Sequence, residues 1–107
     1  MLIAPATRDL LQRWLTHLRG VEGRAPATIE AYARDLRDFL EFQATHDPDH
    51  RTPDGLKSLS LRDMRAYMAA QRGRGVGARS LARGLSAVRS FYNWWSDRDG
   101  FDASVVL

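Results

Sequence analysis

Apolar residues recur at helical spacing in four stretches of the chain, and no stretch shows the sustained alternation of a strand. In the first, Leu10, Leu11, Trp14, Leu15 and Leu18 share one face of a helix predicted from about Thr7 to Arg19, and Gly20 supplies a stop. The second begins at Pro26, whose fixed φ suits a first helical turn, and is predicted to reach about Ala44. Its apolar stripe is Ile29, Tyr32, Ala33, Leu36, Phe39 and Leu40, with Glu30, Arg34, Arg37, Asp38 and Glu41 on the other side. The periodicity then breaks over His46 to Lys57, rich in Pro, Asp and Gly, which predicts an exposed loop.

Ser60 reopens the helical pattern, because its hydroxyl can cap while Asp63 stands three residues on, and Leu59 and Met64 are placed for a hydrophobic staple. This third helix is predicted to run through Met68 to about Gln71. The Gly73-Arg74-Gly75-Val76-Gly77 run that follows looks like a phosphate-binding loop only superficially, since such a loop follows a strand and none is predicted. It is read as a helix-to-helix connector. The fourth helix, from about Ala78 to Ser96, separates two surfaces. Leu81, Leu85, Val88, Tyr92 and Trp95 fall on one face and Arg79, Arg83, Ser86, Ser90 and Asn93 on the opposite one. Phe91 and Trp94 lie on the flank; Phe91 is assigned to the core, and Trp94 is expected to be at least partly exposed. The fold class is all-α.

Length and charge sharpen this picture. At 107 residues, 44% of them hydrophobic, the chain fits one domain spanning 1–107 with a real core. Without cysteine, no disulfide framework or thiolate zinc site can hold the fold, and a cytoplasmic location is the expectation. Met1 to Ala4 is apolar but stopped by Pro5, and no apolar run approaches membrane-spanning length, so no membrane partner is expected. The net charge of +3 is unevenly spread: between Arg62 and Arg89 seven arginines face a single acid, Asp63. Lys57 is the only lysine, and the planar arginine fork suits phosphate and guanine better than an ammonium does. On the fourth helix no acid appears before Asp97, which leaves positive charge, hydroxyls and an amide for phosphates and base edges. A merely solvated basic face fits the same residues.

No catalytic motif accompanies that face. There is no Gly-x-Ser-x-Gly elbow and no His-Glu-x-x-His helix, and His17, His46 and His50 all lie outside the basic region. Pro48 keeps His46 and His50 from sharing a helical face, so the His46-Asp47-Pro48-Asp49-His50 run is read as polar loop. Neither a metal nor a cofactor is expected, and no active site confined to this chain.

Two strings carry a resemblance. Ala25-Pro26-Ala27-Thr28-Ile29-Glu30-Ala31-Tyr32-Ala33-Arg34-Asp35-Leu36-Arg37-Asp38-Phe39-Leu40 resembles the Thr-x-x-x-Tyr-x-x-Asp-Leu segment of tyrosine recombinase core-binding domains. Arg79-Ser80-Leu81-Ala82-Arg83-Gly84-Leu85-Ser86-Ala87-Val88-Arg89-Ser90-Phe91-Tyr92 is similar to the Leu-Ser-Ala-x-Arg-x-Phe-Tyr segment of the Xer-type members, with the XerC-like branch preferred over integrases of phages and mobile elements. Ala25 and Gly77 depart from the family, standing where it often has a serine helix cap, and Ala103 replaces a frequent proline. The resemblance implies a compact four-helix orthogonal bundle, a SAM-like core-binding domain, whose second and fourth helices approach the major groove of double-stranded DNA. The contact residues it implies are Thr28, Tyr32, Arg79, Ser80, Arg83, Ser86, Arg89 and Ser90. Tyr32 fits the core stripe equally well. The family's cleaving and rejoining chemistry belongs to a separate C-terminal domain, expected to be absent here because the chain stops on Val105-Val106-Leu107. The full-length parent would work with partner recombinase subunits in a tetrameric synapse, the fragment alone being a monomer. A stand-alone helical DNA-binding regulator and a helical protein-interaction module are the alternatives.

Overall fold

The computed structural model describes residues 3–107, so the Met1–Leu2 start of the apolar N-terminal run lies outside it. The four predicted helices are present as α1 (Pro5–Gly20), α2 (Pro26–His46), α4 (Leu61–Gly73) and α5 (Ala78–Asp99). Between α2 and α4 stand a 3-10 turn, Pro48–Arg51, and a one-turn helix α3, Pro53–Leu56. Among the described residues no strand occurs and no helix is long and apolar enough to cross a membrane.

The helix ends follow local chemistry. Pro5 and Pro26 occupy first turns, where a missing N–H costs nothing. Ala25 and Gly77 cap α2 and α5 with no side-chain bond, as the absent serines foretold. At α4 the Ser60 hydroxyl accepts from the Asp63 N–H at 3.2 Å, while the Asp63 carboxylate accepts from the Ser60 N–H at 2.8 Å, a reciprocal capping box. Gly100, at φ 68°, closes α5 in the left-handed region that favours glycine.

α2 is the central element, packed against α1, α4, α5 and the 3-10 turn. The core is built of aromatic rings meeting edge to face: Trp14 on Phe91 at 5.6 Å, Phe39 on Tyr67 at 4.9 Å, and Trp95 on Phe101 at 4.7 Å. Trp14, Leu18, Leu36, Phe39, Leu40, Phe91 and Trp95 have no exposed surface. The stripe that α5 buries is Gly84, Ala87, Val88, Phe91, Tyr92 and Trp95. It is centred between Gly84 and Trp95, which turns Leu85 to a half-buried flank, while Leu81, near the start of the helix, is also half-buried; the expectation that Leu85 is core is therefore corrected. Phe91 is buried and Trp94 half-buried, as expected.

The predicted exposed loop over 46–57 is also corrected. Pro48 and Pro53 each start a turn, capped by the Asp47 and Thr52 side chains, and His50 and Leu56 are buried. Three bonds clamp the segment: Tyr92 donates its hydroxyl to the Leu56 carbonyl at 2.6 Å, and Thr7 Oγ1 and the Ala4 N–H both donate to the Arg51 carbonyl. A Cβ on Gly55 would overlap the Asp49 carbonyl oxygen, so only glycine permits this close approach. His46 and His50 converge on Asp63, at 3.2 and 3.8 Å, although they come from different elements. Burial alone would raise the Asp63 carboxyl, but the bonds from Ser60 and the two nearby histidines hold it below the usual value. Asp63 thus ties this segment to the start of α4.

Candidate nucleic-acid interface

On a helix turning about 100° per residue, Arg79, Arg83, Ser86 and Ser90 share an arc of about 60° on the side of α5 opposite its buried stripe. Ser80 and Arg89 flank that arc by about 60° on either side. Arg79, Ser80, Arg83, Ser86 and Arg89 are exposed and Ser90 is half-buried. Thr28 and Tyr32, both half-buried, belong to the N-terminal half of α2, the helix on which α5 packs. Tyr32 lies at the edge of the core stripe and keeps part of its surface exposed. Its ring stacks on Trp14 at 6.3 Å, while the Arg24 guanidinium lies over it, 5.7 Å from the centroid.

Two clefts take in Ser80, Arg83 and Ser90. One, of about 150 Å³, lies between α2, α4 and α5 and is lined by Arg34, Asp35, Asp38, Arg74, Ser80 and Arg83 among others. Its floor includes the Tyr67 ring, whose hydroxyl is pushed up by burial and by Asp35 and Asp38. The other, of about 520 Å³, joins the end of α1 to α5 through His17, Glu22, Arg24, Ser90, Asn93 and Trp94. There Glu22 bridges His17 and Arg24, at 3.0 Å each, and His17 packs on Trp94. Ser80 and Arg83 thus share the first cleft and Ser90 lines the second. Arg79, Ser86 and Arg89 line neither and present their side chains on the open helix surface.

Arg83 is not the free cation that the helix pattern suggests. Its Nε and Nη2 donate to the two carboxylate oxygens of Asp35 at 2.7 and 3.0 Å, across from α5 to α2. The bond to Asp35 raises the Arg83 pKa further, so the guanidinium stays charged. Asp35 escaped the sequence reading because it falls between the apolar stripe and the polar face of α2, on neither. The available signal was an acid beside Leu36, in the Tyr-x-x-Asp-Leu string, on the helix facing a basic partner. Arg24, Arg34 and Arg74 were not among the expected contacts, because each joins a cleft through tertiary packing, from a loop or another helix. Among the described residues, no group of three or more histidines, cysteines or carboxylates is arranged to hold a metal ion.

Residues 11–99 match the family described as "Phage integrase, N-terminal SAM-like domain". The chain is 47% identical over 79 residues to the tyrosine recombinase XerC of Nitrobacter winogradskyi, covering 74% of this chain and 25% of that protein. It is 46% identical over 88 residues to the XerC of a Methylobacterium species, covering 82% and 27%. Against the XerC of Methylobacterium nodulans it is 43% identical over 107 residues, covering all of this chain and 33% of that protein. The chain therefore spans a quarter to a third of the length of these curated relatives. No solved structure matches it. With a family match over most of its length and the all-α fold just described, the chain belongs to the N-terminal SAM-like domains of phage integrases.

Proposed function

We propose that this chain is the DNA-gripping domain of a XerC-like tyrosine recombinase, holding one face of a recombination site with α5 and the first half of α2. The observation that carries the reading is the arc of Arg79, Arg83, Ser86 and Ser90, set opposite the buried stripe on a helix with no acid before Asp97. Arginine and hydroxyl donors in one such arc suit phosphate oxygens, which fix register, and guanine edges, which carry sequence. Thr28 and Tyr32 extend the interface from α2, and Ser80 and Arg89 reach its borders. The domain brings grip, while strand cleavage and rejoining, and assembly with partner recombinase subunits, belong to the rest of such a protein. Its place is with the chromosome, in the cytoplasm.

The reading predicts that the chain binds duplex DNA at low salt and that log affinity falls linearly with log salt, at about 0.9 per phosphate neutralised. Fluorescence anisotropy with a labelled recombination-site duplex measures this. Affinity is expected to be modest, because a single domain lacks the gain of a two-sided clamp. No binding at low salt, or binding indifferent to salt, would overturn the reading.

A further inference from the structure

Asp35 stands at an odd place for a carboxylate, since it lines the cleft that opens beside the basic arc of α5. Simple electrostatics makes an acid there a repulsive element toward a polyanion. Its geometry gives it a different role. The Asp35 side chain is 12% exposed and that of Arg83 43%, so the carboxylate sits beneath the guanidinium and not outside it. Both Asp35 oxygens are taken by Nε and Nη2 of Arg83, in the two-bond arrangement that fixes the plane of the guanidinium as well as its distance.

The donors left over define what Arg83 can do next. A guanidinium has five N–H groups, and the pair with Asp35 uses one on Nε and one on Nη2. The end of the fork, with an N–H on Nη1 and another on Nη2, has no partner among the described residues. Two parallel donors in a fixed plane match two neighbouring acceptors, as on the O6/N7 edge of guanine or on a phosphate. An arginine reaching out alone must be ordered when it binds, whereas one already held loses little further freedom. The surrounding cleft also balances the acid: Arg34 and Arg74 share it with Asp38, so Asp35 is not the pole of a negative patch.

We propose that Asp35 is a positioning residue for DNA recognition, holding the Arg83 guanidinium so that its free two-donor end faces the paired acceptors of a guanine or a phosphate. The proposal rests on the DNA-binding reading above and adds to it a residue that touches no DNA itself.

Asp35→Asn supplies the test, because positioning and electrostatics predict opposite signs. Removing a negative charge beside a polyanion should tighten binding, whereas releasing a positioned fork should weaken it. Wild type, Asp35→Asn, Arg83→Gln and the double variant are titrated at low salt with two duplexes, one made only of G·C pairs and one only of A·T pairs. The expected loss for Asp35→Asn is about tenfold, the size of one well-made two-donor interaction. Loss on the G·C duplex alone assigns guanine, and equal loss on both assigns phosphate. In the Arg83→Gln background the same change should cause no further loss, since the group to be positioned is gone. Should Asp35→Asn lose helicity at the titration temperature, Asp35→Glu, which keeps the charge but displaces the carboxylate by one methylene, must weaken binding in the same direction. If the wild type binds and Asp35→Asn binds as well or better, the positioning role is wrong while the DNA face stands. If the wild type binds neither duplex, the DNA-binding reading itself falls, and the positioning role with it.

Discussion

Trp95→Ala is expected to destabilise the domain by about 3–5 kcal/mol, the usual cost of deleting a large buried ring, whereas Trp94→Ala should cost far less. The two tryptophans are neighbours in sequence and differ only in where the helix aims them. Trp95 has no exposed surface and meets Phe91 at 5.4 Å, Tyr92 at 5.3 Å and Phe101 at 4.7 Å. Its Nε1 donates to Asp99 at 2.9 Å, and the Lys57 ammonium lies 5.9 Å from its ring. Truncation therefore opens a cavity and frees the segment after α5 that Phe101 pins down. Trp94 is half-exposed, lies over Phe91 and His17 at 6.1 Å each, and is covered outside by Arg98. Urea unfolding with an unchanged m-value measures both variants. Equal losses at the two positions would mean that α5 is rotated from the phase described.

Arg79→Ala combined with Arg83→Ala should carry the largest effect on function. Each arginine that meets a phosphate contributes to counterion release, so the double variant should flatten the salt dependence by about one unit for every phosphate left without its arginine. If either reads a base, about 1–3 kcal/mol of binding disappears at that site together with some sequence preference. The two substitutions are not equivalent for the fold. Arg79 is exposed and its side chain makes no bond among the described residues, whereas removing Arg83 strands the largely buried Asp35 carboxylate without its partner. Helicity should survive in both single variants, but a lowered melting temperature is expected only where Arg83 is replaced. Circular dichroism alongside the anisotropy titration separates the two effects. Unchanged affinity and salt slope in the double variant would remove the arc from the DNA interface and favour a surface for another protein.

Much of this was legible in the residues, and the gaps have physical causes. The four long helices follow from apolar spacing, and the Ser60–Asp63 capping box from a local pattern that needs no tertiary knowledge. The 46–57 segment departs from its expected form because its one-turn elements are too short for periodicity, and its burial depends on distant partners, Tyr92, Thr7 and Ala4. Leu85 departs because Gly84 and Ala87 carry little hydrophobic signal, yet they fix the phase of the buried stripe. The basic arc itself was visible from spacing on α5. Its partner Asp35 was not, since the pair joins residues 48 apart in sequence.

The central claim is that α5 and the first half of α2 form the surface that meets DNA, and residue-by-residue mapping tests it most directly. Amide chemical shifts of the isotope-labelled chain are followed as an unlabelled recombination-site duplex is added at low salt. The account predicts that the changes concentrate from Arg79 to Ser90 and from Thr28 to Asp35. Changes confined to the exposed residues of α1 and the 3-10 turn, with the Arg79–Ser90 arc unmoved, would contradict it.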